Sequence, residues 1–259
     1  GGMPPASKVV VDGVQGGSDS FGNVYESTSD MWQKELGKAN PNSKKGWYGK
    51  AVHYWDGVDA TVDGVLGGFG HVTGVDLKES QEFLMSLKKD GHLALSEEGS
   101  RAVDCGAGIG RITEGLLCKM FAKVDLVEPV VKLLKQGEVM LKDNPNVGDF
   151  HYVGLQDFTP QKEQYDVIWV QWVIGHLTDD DFVAFFTRCR RGLKPGGVIC
   201  LKENVCKDGF VVDKDDSSVT RSDVYLQDLF KKAGMDMLAM TFQKDFPKEL
   251  FAVRMFAVR

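Results

Sequence analysis

Hydrophobic and polar positions along this chain follow two periods. Short, mostly apolar runs at 102–105, 123–127, 150–153, 166–170 and 198–202 have the length of strands. Between them, apolar residues fall three and four apart. Ile112, Leu116, Leu117 and Met120 do so, as do the stretches 130–141, 179–192 and 222–233, the last closed by Gly234. Alternating strands and helices predict an α/β fold with a mostly parallel sheet covered on both faces. The run after Asp166 is apolar throughout, as buried parallel strands are. Two closing runs, about 235–243 and 250–258, have no helix between them and predict an antiparallel edge pair.

The first ninety or so residues are patterned differently. Residues 3 to about 24 are rich in Gly, Ser and Asp without a period and read as a disordered tail. Gly1-Gly2 before Met3 reads as a tag remnant. Ser27 to Asp30 offers a cap for a short helix through Leu36, which Asn40-Pro41-Asn42-Ser43 breaks. A helix over 46–55 carries Trp47, Tyr48, Tyr54 and Trp55. Half of that stripe is expected to pack, with Tyr54 and Trp55 over a pocket, their faces open to a cation. Gly64, Gly67, Gly68 and Gly70 crowd one short stretch, too many for a stable helix. With Val65, Leu66 and Phe69 as apolar knobs, it suits a lid. A helix resumes over 76–88, with Asp76 as its N-cap and Phe83, Leu84 and Leu87 on one face. The expected organisation is a tail over 1–24 and one domain over 25–259, of which 25–90 is the elaboration.

Composition narrows the function classes. The chain has 259 residues, 42% hydrophobic and 26% charged, ordinary for a soluble domain. The net charge is −6 and no basic stripe runs along the chain, which argues against direct nucleic-acid binding. No apolar run is long enough to span a membrane. Cys105, Cys118, Cys189, Cys200 and Cys206 form no C-x-x-C pair and read as reduced thiols of a cytoplasmic or nuclear protein. The histidines have no metal-ligand spacing, so no metal is expected.

The candidate chemistry begins at Asp104-Cys105-Gly106-Ala107-Gly108-Ile109-Gly110-Arg111. A strand ending in Gly106, Gly108 and Gly110 and opening a helix places a ligand at the strand's carboxyl end. The acid Glu128 follows the next strand, where it can accept from ribose hydroxyls. Ribose is common to NAD and S-adenosylmethionine (SAM). Arg111 favours SAM, whose methionine end carries a carboxylate an Arg can grip. The polar turn Gly154-Leu155-Gln156-Asp157-Phe158 is placed to read an adenine.

The glycine turn resembles motif I of the class I SAM methyltransferases. With Tyr54-Trp55, Thr61-Val62-Asp63-Gly64, Leu66-Gly67-Gly68, Gln171-Trp172-Val173-Ile174-Gly175-His176-Leu177 and Asp215-Asp216-Ser217-Ser218, the chain resembles the protein N-terminal methyltransferases from about residue 47 onward. That resemblance implies a seven-stranded Rossmann-like sheet and SAM as cofactor. It implies the N-terminal tails of basic proteins, beginning Xaa-Pro-Lys or Xaa-Pro-Arg, as substrates. The implied cofactor site is Gly106, Gly108, Gly110, Arg111, Glu128, Leu155, Gln156 and Gln171. The implied peptide site is Trp55, Leu66, Trp172, His176, Asn204, Asp213, Asp216 and Ser218. The family often has Asp at the position of Glu128, and Tyr at that of Phe251.

An α-amine titrates near about 8, so a positioned acceptor suffices and no strong base is needed. Asp216 and His176 are expected to share that role, with Asn204 on the peptide backbone. Asp213, helped by Asp216, is expected to pair with the substrate's basic third residue. A methyltransferase of a small-molecule amine is the alternative; it would need no acidic groove.

Overall fold

Every residue of Tyr165–Gln171 is buried, and this strand is the centre of the sheet. A computed structural model describes residues 9, 11, 14–37, 41–95 and 99–259. In chain order the elements are β1 (Gly17–Asp19), β2 (Val24–Tyr25), α1 (Thr28–Leu36), α2 (Pro41–Gly57), α3 (Val62–Val65) and α4 (Thr73–Lys89). Then come β3 (Arg101–Cys105), α5 (Arg111–Gly115), β4 (Lys123–Val127), α6 (Val131–Leu141), β5 (Val147–His151), β6 (Tyr165–Gln171), α7 (Asp179–Gly192) and β7 (Leu193–Val205). The chain ends with β8 (Phe210–Asp213), β9 (Ser218–Arg221), α8 (Asp223–Lys232), β10 (Met237–Phe242) and β11 (Ala252–Val258).

The large sheet has the order β10-β11-β7-β6-β3-β4-β5. β3 to β7 are parallel, and β11 and β10 close the edge antiparallel, as expected. Alternate side chains of the central strands sort into two cores. Val103, Ile168, Val170, Ile199 and Leu201 face α7 and α8. Ala102, Val167, Trp169 and Cys200 face α4 through Phe83, Leu84 and Leu87. Residues 193–197 form a bulge at the start of β7. Leu193 faces Tyr165, then Val198 faces Val167, with Gly196 at φ 80°.

Three expectations are corrected. Part of the supposed tail is built into the fold: β1 pairs parallel with β8, and β2 pairs with β1, in a second sheet ordered β2-β1-β8-β9. Its Gly, Ser and Asp content makes a tight turn, in which Asp19 Oδ1 accepts from the Phe21 and Asn23 amides. The expectation for residues 1–8 lies outside the described residues. The helix after the glycine turn stops at Gly115, whose missing Cβ leaves room for Leu77. Asp76 is no N-cap: α4 begins at Thr73, and Asp76 is fully buried inside its first turn.

One buried network ties these layers together. Asp179, in the first turn of α7, accepts from Trp32 Nε1 of α1 at 2.7 Å and from the Tyr225 hydroxyl of α8 at 2.7 Å. It pairs with Arg221 Nη2 of β9 at 2.9 Å. The helix N-terminus adds to the stabilisation of its charge. Removing one member of a buried pair leaves the other uncompensated. Asp179→Ala is expected to lower stability by about 3–5 kcal/mol, read from urea unfolding followed by tryptophan fluorescence.

Candidate active site

β3 and β6 lie side by side, but the chain leaves β3 toward β4 and leaves β6 toward β7. Their carboxyl ends therefore part and leave a crevice at the switch point. A cavity of about 1060 Å³, counting its mouth, opens there. Of the residues expected at the cofactor, Gly106, Gly108, Arg111, Glu128, Leu155, Gln156 and Gln171 line it. Gly110 is the exception. It takes φ 83° at the start of α5, and a Cβ there would lie 2.7 Å from Leu141 Cδ1. It is a packing corner and does not reach the cavity wall. Gly106 is on the wall with φ 77°, and its Cβ would lie 2.5 Å from Val173 Cβ. Only glycine lets the backbone pass so close.

Arg111 and Gln171 are held from beneath by Asp76, whose place in the sequence suits a cap. Asp76 Oδ2 pairs with Arg111 Nη1 at 2.7 Å, and Asp76 Oδ1 accepts from Gln171 Nε2 at 2.8 Å. Lys202, fully buried on β7, lies 2.5 Å from the same Oδ1 and donates to Ser80 Oγ at 2.9 Å. Burial pulls the Lys202 ammonium below its ordinary range, and Asp76 opposes that pull. An Arg in a first helical turn works against the helix dipole; Asp76 offsets it. A guanidinium has five N–H donors, so others remain for a carboxylate in the cavity.

Glu128, after β4, accepts from the Gly108 amide at 3.1 Å and the Val130 amide at 2.9 Å. Burial pushes its carboxyl up to about 7, against those two hydrogen bonds. Each oxygen keeps a second lone pair for a ribose hydroxyl. An arginine, an acid on the neighbouring strand, a bare glycine backbone and the apolar Val130, Leu133 and Leu155 fit the carboxylate, ribose and adenine of SAM.

A second cavity, about 1050 Å³ with its mouth, shares Trp55, Leu66, Trp172 and His176 with the first. It runs on to Asn204, Asp216, Ser218 and Phe251. Leu66 and Phe69, from the glycine-rich stretch expected to form a lid, line it. Asp213 is the one expected peptide-site residue outside both walls. It ends β8, exposed, with Oδ1 accepting from the Asp215 amide. The aromatic stripe of α2 divides, though not as expected throughout: Trp47 is buried edge-on to Trp32 and Trp55 faces both cavities, but Tyr54 is exposed and lines neither, and Tyr48 lines the first in its place.

His176 is locked at both nitrogens. Trp55 Nε1–H, which can only donate, lies 3.1 Å from Nε2, so Nδ1 carries the proton and donates to the Ser217 carbonyl at 3.1 Å. Of the two expected proton acceptors, Asp216 alone has a buried oxygen, Oδ1, without a hydrogen-bond partner among the described residues. Burial raises the Asp216 pKa, while His176 and the Ser218 hydroxyl oppose the shift. Trp172 takes φ 50°, a strained conformation for a bulky residue, and its Nε1 is also buried without a partner among the described residues. Arg111 lies over its ring at 5.5 Å.

Sequence reasoning missed Glu203, on the wall of the second cavity. Its Oε1 accepts from the Asn204 amide, and its Oε2 is buried without a hydrogen-bond partner among the described residues. Burial pushes this carboxyl up to about 7. An acid following an apolar strand run, Val198 to Leu201, was the available signal. Between the unfolded value, near about 4.3, and the folded one, the unfolded chain binds fewer protons, so stability falls as pH rises. Glu203→Gln is expected to flatten the decline of Tm between pH 4.5 and 7, checked by thermal melts of both proteins across that range.

Comparison with known proteins gives one answer. The family model for AdoMet-dependent proline di-methyltransferases matches residues 43–259. An "alpha N-terminal protein methyltransferase 1" of Arabidopsis thaliana is 46% identical over 250 residues, covering 93% of this chain and 90% of that one. An "N-terminal Xaa-Pro-Lys N-methyltransferase 1-B" of Xenopus laevis is 45% identical over 214 residues, covering 82% of this chain and 95% of that one. A solved SAM-dependent methyltransferase from Leishmania major superposes with a TM-score of 0.87 at 43% identity, covering 99% of this chain and 100% of that one. The glycine cradle, the Asp76-held arginine and these matches agree: the chain belongs to the AdoMet-dependent proline di-methyltransferase family.

Proposed function

We propose that this methyltransferase acts on the α-amino group of proteins beginning Xaa-Pro-Lys or Xaa-Pro-Arg. The observation that carries the reading is the junction of the two cavities. One is built for SAM, and the other brings a buried, unpartnered Asp216 oxygen to the same Trp172–His176 wall. The relatives named for protein N-termini support it.

SAM supplies an electrophilic methyl group on a sulfonium. This chain's residues must then present a neutral amine in line with it. Trp55, Leu66 and Trp172 wall a slot for the flat second-residue proline. Asn204 fixes the peptide backbone. Asp216 takes the amine's proton, and its raised pKa brings it closer to the amine's own, which eases the transfer. His176, locked between Trp55 and Ser217, orients the slot. Asp213 and Asp215, exposed beside it, draw the basic third residue to the mouth. Positioning two reactants in this way supplies much of the rate. The natural substrates would be the tails of basic proteins in the cytoplasm or nucleus. Five unpaired cysteines, four of them buried, accord with a reducing compartment. Among the described residues, no helix is long and apolar enough to cross a membrane.

Mass spectrometry of a Ser-Pro-Lys peptide, incubated with enzyme and SAM beside its N-acetylated twin, tests the reading. Methyl additions on the free peptide alone are expected, and their number gives the product. Additions on neither peptide, with SAM bound, would return the substrate to small-molecule amines. Asp216→Asn is expected to lower kcat about a hundredfold with little change in SAM affinity, and the rate to rise with pH through the amine's titration. A kcat within threefold of the parent would remove Asp216 from the mechanism.

A further inference from the structure

The acidic turn at the mouth of the peptide cavity reads Val212-Asp213-Lys214-Asp215-Asp216-Ser217-Ser218. It contains one lysine of its own. Lys214 has the same terminal group as a substrate lysine and sits among Asp213, Asp215 and Asp216. A flexible lysine there is an intramolecular competitor at high effective concentration.

The structure turns that lysine away. Lys214 Nζ lies 2.5 Å and 2.7 Å from the two carboxylate oxygens of Glu35, on the last turn of α1. Only 6% of the Glu35 side chain is exposed, and the Tyr25 hydroxyl, 2.5 Å from Oε1, fixes the carboxylate. Tyr25 is itself buried on β2, with its hydroxyl 3.2 Å from Asp19 Oδ2 of the β1 turn. The backbone of Lys214 is held as well. Its amide donates to Ser20 Oγ at 3.1 Å, and Lys50 Nζ donates to its carbonyl. Parallel pairing of β1 with β8 sets this register, with Ser18 opposite Val211. All of these partners except Lys50 come from residues 18–35, which lie outside the family match at 43–259.

We propose that Glu35 is a specificity-determining residue. By holding Lys214 out of the acidic mouth, it keeps Asp213 and Asp215 free for the basic third residue of the substrate. The inference rests on the peptide-methylating reading above.

Two substitutions break the same ion pair with opposite consequences. Glu35→Gln releases Lys214 into the mouth. Lys214→Met breaks the pair and removes the competitor. If the released lysine occupies the mouth nine-tenths of the time, the apparent KM for a Ser-Pro-Lys peptide rises about tenfold. Steady-state kinetics on E35Q, K214M and the double variant, with SAM affinity and Tm measured beside them, decides the matter. The expected pattern is a raised KM in E35Q, KM at or below the parent's in K214M, and KM restored in the double variant. kcat and SAM affinity should be unchanged throughout. A KM raised alike in E35Q and K214M would reduce the ion pair to a scaffold contact, and an unchanged KM in E35Q would likewise overturn the inference. Turnover of the free peptide by the parent enzyme tests the underlying reading separately.

Discussion

A carboxylate with no solvent contact, Asp76, joins the two halves of this enzyme. It lies on α4, in the N-terminal elaboration, and its charge is met by Arg111 and Lys202 of the α/β core. Taking three charges out of water is costly, and good geometry only offsets the cost. Here the geometry does more. The same carboxylate fixes Gln171, so two residues of the cofactor wall take their positions from one buried anion. The elaboration thereby sets the shape of a site whose glycines and acid lie on the core strands. Loss of Asp76 would leave Lys202 without a charge partner in the sheet's interior, which is why this interaction is required by both layers.

The second constraint is the sharing of one wall by two cavities. Trp172 is the hinge of that arrangement. Its ring is under Arg111 on the cofactor side and near Phe246 on the other, and its backbone is held in a left-handed conformation. The hydrogen bond from its amide to the Lys202 carbonyl helps hold that conformation against its cost. Asp216 and Glu203 present two burial-raised carboxyls on the peptide side, whereas Glu128 does so on the cofactor side. Dry carboxyls facing a cavity mark a place where charge is to be received.

Much of this was legible in the sequence, because the signals are local. The apolar strands, the Ser27 cap and the glycine turn depend on neighbours along the chain. Seven of the eight expected cofactor residues reach one cavity for the same reason: strand ends and their turns carry them. What the sequence hid depends on distant partners. Asp76 has the local look of a cap, and only Arg111, Gln171 and Lys202 give it another role. β1 reads as a tail because its pairing partner lies far along the chain at β8. Gly110 shares the spacing of the cavity glycines, and only Leu141 shows that it serves packing instead.

The pairing of β1 with β8 also orders events during synthesis. Ser18 must wait for Val211, so the small sheet cannot close until most of the chain has left the ribosome. By then β3 to β7 can already have paired, with every glycine of the cofactor turn in place. Closing so large a loop is slow compared with local pairing. The nascent enzyme thus acquires the means to hold its cofactor before the mouth that admits a peptide. An enzyme of protein N-termini, surrounded at birth by new N-termini including its own, finishes the admitting side last.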